Sequence, residues 1–179
     1  MQQKIVITGG PGTGKTTLID ELEKRDFVCT PEISRQVTQI AKKQGIDQLF
    51  LKDPLLFSKL LLEGREKQYL EASKLDSNII FFDRGIPDVH AYMNFFGTSY
   101  PAIYIEKSTF YKYDHVFLLP PWKEIYKTDE ERYESFEHSL AIYEHLKNTY
   151  LELNYTITEV PIGKVEDRVN YILNHLKLL

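Results

Sequence analysis

Eight consecutive residues near the start of the chain, Gly9-Gly10-Pro11-Gly12-Thr13-Gly14-Lys15-Thr16, match the pattern G-x-x-x-x-G-K-[ST] at every fixed position. The glycines let the backbone turn sharply and bring successive N–H groups close to an anion with no Cβ in the way. Lys15 then offers a point charge to the β- and γ-phosphates, and the Thr16 hydroxyl offers an oxygen ligand to Mg2+. Thr17 extends the same stretch into the first turn of a helix, whose N-terminus favours negative charge. The expected ligand is ATP or a close relative, with Mg2+. The plain alternative is a glycine-rich turn with a coincidental Lys-Thr, which average residue frequencies produce in a chain of this size roughly once in a hundred. Two neighbours weigh against coincidence. The motif needs a strand before it and a helix after it, and Lys4–Thr8 and Gly14–Lys24 have those patterns.

Phosphate chemistry of this kind also needs a carboxylate beside the metal, at the carboxyl end of a neighbouring strand. Asp83 follows the apolar run Asn78–Phe82 and has that place. The next residue is Arg84 rather than a second carboxylate, so a cation able to brace phosphoryl oxygens stands where a water-polarising Glu would otherwise be expected. The bland reading is a strand end capped by a surface Asp-Arg pair.

Glu32 and Arg35 follow the presumed second strand, Phe27–Thr30, and lie three residues apart, so one helical turn puts them on the same side. Glu32 has the chemistry to take a proton from an attacking hydroxyl, and Arg35 to hold the acceptor. They also read simply as an acidic helix start with its surface partner. Pro120-Pro121-Trp122 introduces a charged stretch with Lys123, Lys127 and Arg132, giving a candidate lid over residues 121–133. A charged surface loop is the alternative there. Trp122 is either a base-stacking ring or a rim aromatic. The histidines lack metal-ligand spacing: His138 and His145 lie seven apart on one helix, and His90, His115 and His175 are scattered.

The elements that must position these groups are legible in the hydrophobic pattern. Lys4–Thr8, Phe27–Thr30, Asn78–Phe82, His115–Leu119 and Tyr155–Val160 read as short buried strands. Between them lie helical patterns: Ile33, Val37, Ile40 and Ala41 stopping near Gly45; Pro54 to about Ala72; Pro87 to Phe96; Tyr133–Leu153 with Phe136, Leu140, Tyr143, Leu146, Tyr150 and Leu153 in one stripe; and Val165, Val169, Ile172 and Leu176. Residues 98–113 read as mixed helix and loop. Near-continuous apolar strands alternating with helices predict a parallel sheet covered on both faces, an α/β sandwich. With 179 residues and no linker or repeat, residues 1–179 are expected to form a single domain.

The balance of 22 basic and 26 acidic residues gives a net charge of −4, which points away from nucleic acid as partner while leaving small anions open. No apolar run is long enough for a membrane span, no signal peptide is evident, and the lone Cys29 excludes an internal disulfide framework. A cytoplasmic location is expected. No feature of the chain specifies an oligomeric state.

The segments TGGPGTGKTTL, PEISR, FFDRG and DHVFLLPPW, followed by a charged stretch and a long helix, resemble the AAA-domain-type P-loop family related to the ribosylnicotinamide kinase domain, near the nucleoside and nucleotide kinases. The resemblance runs from Lys4 to about Leu173. It implies a three-layer α/β/α P-loop NTPase fold with a five-stranded parallel sheet in the order 2-3-1-4-5. It also implies ATP as donor with Mg2+, and Glu32, Arg35, Asp83 and Arg84 on the acceptor side. The arginine-rich R-x-x-x-R lid of such kinases is absent, with Lys123, Lys127 and Arg132 in its place. The expected activity is transfer of the γ-phosphoryl group to a small hydroxyl-bearing, nucleoside-like acceptor. Catalytic roles fall to Lys15, Asp83, Arg84, Glu32 and the lid residue Arg132; Asp83 and Thr16 hold the metal, and Glu32, Arg35 and Arg84 bind the acceptor. The rival is an ATPase or GTPase switch regulating a protein partner. That reading lacks a water-positioning Gln or Glu after Asp83 and lacks the guanine-reading N-K-x-D signature.

Overall fold

A computed structural model describes residues 2–126 and 135–179. Its strands are β1 (Gln3–Gly9), β2 (Val28–Thr30), β3 (Ile79–Asp83), β4 (His115–Leu119) and β5 (Ile157–Glu159). Its helices are α1 (Lys15–Lys24), α2 (Ile33–Lys43), α3 (Leu49–Lys52), α4 (Pro54–Ala72), α5 (Pro87–Phe95), α6 (Ile103–Phe110), α7 (Phe136–Glu152) and α8 (Val165–His175). The five strands form one parallel sheet in the order β2-β3-β1-β4-β5, the order that the family resemblance implied.

Alternation along β1 explains why both faces are covered. Ile5 and Ile7 point to one side, where Leu18 and Leu22 of α1 and Val169 and Ile172 of α8 close over Phe81 and Phe117. Val6 points to the other, packing with Ile80, Phe82, Val116 and Tyr150. Strands buried on both faces have no polar side to show, hence their unbroken apolar sequences. Pro54 fits the first turn of α4, and the Asp53 side chain caps it by accepting from Leu56 N–H at 3.0 Å.

Three details depart from the sequence reading. The short helix α3 was not foreseen, whereas residues 98–113 hold helix α6 between loops, as read. Leu140 and Ile40, placed on core-facing stripes, are 46% and 56% exposed, while Ser139 and Ile142 are buried in α7. Tyr143, Leu146, Tyr150 and Leu153 of the predicted stripe are buried as expected, and near its start the inward face turns to Ser139, whose backbone lies against Gly10. Asp83 is the last residue of β3 rather than the first beyond it, and pairs in register with Ile7.

Candidate functional site

The glycine-rich loop joins the carboxyl end of the central strand β1 to α1. Gly12 and Gly14 adopt φ of 71° and 80°, a left-handed backbone that only glycine enters without strain. Gly14 is also the N-cap of α1, where no side chain caps the helix and no acidic residue lies in the first turn. The first N–H groups of α1 are therefore left for a ligand anion, and Gly14 to Thr17 line a cavity of about 970 Å3. The loop's carbonyls are held from behind by cations. Arg84 Nη1 donates to Gly9 O at 3.0 Å, and Arg168 Nη1 donates to Thr13 O at 3.0 Å. Thr13 Oγ1 donates to Gly10 O at 3.0 Å and closes the turn.

Lys15 is buried, and its Nζ donates to Gly9 O and Gly10 O, both at 2.9 Å. Burial, reinforced by the charge of Arg84, pulls its pKa from 10.5 down to about 7 against the opposing pull of Asp83 and Glu32. An anion arriving in the loop reverses that balance and favours the ammonium form.

Asp83 is buried, its carboxyl pKa raised by burial against the opposing pull of Lys15, and its Oδ1 has no hydrogen-bond partner. A buried carboxylate oxygen with nothing to accept from suits a cation ligand, and the Thr16 hydroxyl is exposed on the cavity wall. Among the described residues no group of three or more His, Cys, Asp or Glu gathers as a metal site.

Arg84 has a φ of 71°, unusual for a branched-off side chain of this size and sustained here by its contacts. Its Nε donates to Glu32 Oε1 at 3.3 Å, its Nη1 lies 3.6 Å from Asp88 Oδ1, and its guanidinium lies over the Tyr92 ring at 5.5 Å. Burial opposes its charge, but Tyr92, Glu32, Asp88 and Asp83 outweigh it and hold the pKa well above the ordinary value. Glu32 resists burial through Arg84, Lys15 and the Ser34 hydroxyl, which lower its pKa to about 2. Arg35 lies 4.0 Å from Glu32 and half in solvent.

Glu32, Arg35 and Arg84 thus share the cavity with the phosphate loop. Trp122 lies on its other flank, 6.0 Å from the Arg168 guanidinium. Lys123 is exposed in a turn; Lys127 and Arg132 lie outside the described residues.

Residues missed in the sequence complete the site. Asp88 is fully buried and accepts from Thr8 Oγ1, from Gly85 N–H at 3.0 Å and from Tyr150 OH at 2.5 Å. Its signal was an acid in the first turn of the helix that follows FFDRG. Arg65 and Arg168 interrupt apolar stripes on α4 and α8, and a cation on a core-facing stripe was the cue that went unread.

A phosphate loop at the end of the central strand of a 2-3-1-4-5 parallel sheet, with helices on both faces, defines a P-loop NTPase fold of the nucleoside-kinase type. The model of the AAA domain family matches residues 4–168, and the chain belongs to that family. None of the curated proteins matches by sequence. Among solved structures, a deoxyadenosine kinase from M. mycoides with dCMP and dCDP aligns at 19% identity and TM-score 0.72, over 99% of this chain and all of that one. A NadR protein in complex with NAD and AMP-PNP aligns at 15% identity and TM-score 0.73, over 99% of this chain and 50% of that one. Thymidylate kinase from Candida albicans aligns at 16% identity and TM-score 0.68, over 98% and 91%. At these identities the likeness concerns the fold.

Proposed function

We propose that the protein is an ATP- and Mg2+-dependent phosphotransferase acting on a small hydroxyl-bearing, nucleoside-like acceptor. The observation that carries this reading is the meeting of Arg84 and Glu32 with Lys15 around one cavity that also holds the open N-terminus of α1. One flank, with Trp122 and Arg168, suits the donor's base; the other, between α2, α4 and α5, suits the acceptor.

The loop amides and Lys15 hold the phosphates. Thr16 and Asp83 would hold Mg2+, which when bound neutralises charge on the β- and γ-oxygens. The acceptor oxygen attacks Pγ, forming one O–P bond as the bond from Pγ to the bridging oxygen breaks and ADP leaves. Glu32, which lines the cavity, takes the hydroxyl proton; Asp83 is the other carboxylate with the chemistry for it, but it does not line the cavity. A carboxylate with pKa near 2 is a weak base. The phosphates supply the correction, since negative charge beside Arg84 and Lys15 cancels the two cations that depress Glu32. Arg84 braces the transferring group, Arg35 holds the acceptor, and Arg132 supplies a lid charge from residues 121–133. The whole chain, 1–179, is read as one domain working in the cytoplasm.

The test is a screen of nucleosides, nucleotides and nicotinamide riboside for transfer of labelled γ-phosphate. Transfer that is lost in Lys15→Ala and Glu32→Gln supports the proposal. ATP turnover that no hydroxyl compound stimulates would turn the assignment to a hydrolytic switch.

A further inference from the structure

The acceptor flank carries positive charge that the transfer step does not use. Arg65, midway along α4, is 3% exposed and lines the cavity. Its Nη1 donates to Gly85 O at 2.8 Å, but its Nε is buried without a hydrogen-bond partner, and no ion pair among the described residues involves it. Among them Asp83 is the one carboxylate that Arg65 acts on, more weakly than Lys15 and Arg84 do, so its charge is only partly offset, and spare donors in a fixed fork match an oxyanion. On α2, Arg35, Thr38, Gln39 and Lys42 recur at i, i+3, i+4 and i+7 and face the same cavity, so one polar stripe with two cations forms a wall. Of the carboxylates on this flank, Asp88 already faces Arg84, and Glu32 faces Arg84 at 3.3 Å and half-exposed Arg35 at 4.0 Å. Asp83 does not line the cavity, and its charge is engaged first by Lys15, then by Arg84 and last by Arg65. Opposite the polar stripe, Phe57, Leu61, Val89 and Met93 supply an apolar wall.

We infer that the acceptor is itself an anion: a compound with a flat apolar body that carries a phosphate group, seated on Arg65 with Arg35 and Lys42 along its polar edge, in addition to the oxygen that is phosphorylated. Nucleoside monophosphates have that chemistry. This inference rests on the reading of the cavity as a phosphotransferase site.

The experiment loads the protein with Mg2+ and AMP-PNP, so that the phosphate loop is filled, and titrates it by calorimetry with inorganic phosphate, with the common nucleosides and with their monophosphates. At least one monophosphate is expected to bind tenfold or more tightly than its own nucleoside, and inorganic phosphate to compete with it. In Arg65→Gln, checked for folding by circular dichroism, that preference should fall at least tenfold, more than AMP-PNP affinity falls. Arg65→Lys, which keeps the charge but not the fork, should recover part of it. If Arg65→Gln does not fold, the preference in the unaltered protein and its decrease in the surface variant Arg35→Gln still decide. Equal binding of nucleoside and monophosphate, or no binding of any phosphate to the loaded protein, overturns the inference while leaving the donor site standing. Failure of AMP-PNP itself to bind overturns the phosphotransferase reading, and this one with it.

Discussion

Lys15 shows how one side chain's environment becomes a measurable property of the protein. Its free-state pKa near 7 means that above pH 7 the ligand-free protein holds it mostly neutral. Phosphate oxygens favour the ammonium, so the complex binds more protons than the free protein between about pH 7 and the ordinary lysine range. Affinity for Mg-ATP must then weaken as pH rises above 7, by up to tenfold per unit. Calorimetry at pH 8 in two buffers of different ionisation heat should record proton uptake approaching one per nucleotide. No uptake would show that the side chain is already charged. On the proposed mechanism its charge acts on the transferring group, so Lys15→Ala should lower kcat/KM about 10^3-fold, against a change within a few-fold for exposed Lys123→Ala. Glu32→Gln should lower kcat by about 10^2-fold or more while nucleotide affinity is retained, which separates a proton acceptor from a phosphate binder.

Asp88 works at the scale of elements. Its carboxylate ties Thr8 at the end of β1, Gly85 in the turn after β3, and Tyr150 of α7, and it faces Arg84. Asp88→Asn leaves Arg84 with one fewer counter-charge and a donor where an acceptor is needed, so a loss of about 3–5 kcal/mol is expected in denaturant unfolding. Gly85 belongs to the same junction. A Cβ there would lie 2.5 Å from the Tyr150 hydroxyl and 3.2 Å from the Tyr113 ring, both deep in the core. Gly85→Ala should cost about 1–3 kcal/mol, read as a fall in Tm, and a neutral outcome would mean the turn has room that these contacts deny. None of these ties could be seen from the sequence, since residues 8, 85, 88 and 150 meet only after the sheet is assembled.

For the molecule as a whole, the cavity between two flanks makes nucleotide binding a stabilising event. At a free concentration about one hundred times Kd, Mg-ATP should add about 2.7 kcal/mol and raise Tm by roughly 5–10 °C. A chelator added to the same sample should remove much of that rise if the orphaned Asp83 oxygen is satisfied by the metal. An unchanged Tm with chelator would detach Asp83 from that role. The net charge of −4 does not conflict with an anionic ligand, because the site's cations line one cavity.

Local chemistry was enough to declare the phosphate loop: its glycines, Lys15 and Thr16 are adjacent in the chain, so spacing alone implies their geometry. The strands and most helices were likewise readable, because burial on two faces or one imposes a period on the residues themselves. The inward faces of α7 and α2 were read partly wrongly at Leu140 and Ile40, where neighbouring elements decide which side is covered. Only the tertiary structure brought Arg65 to the turn after β3, Asp88 to the end of β1 and Arg168 to the loop. These contacts span 20 to 155 residues of sequence between partners, and no local period encodes a meeting made by the crossing of chain segments.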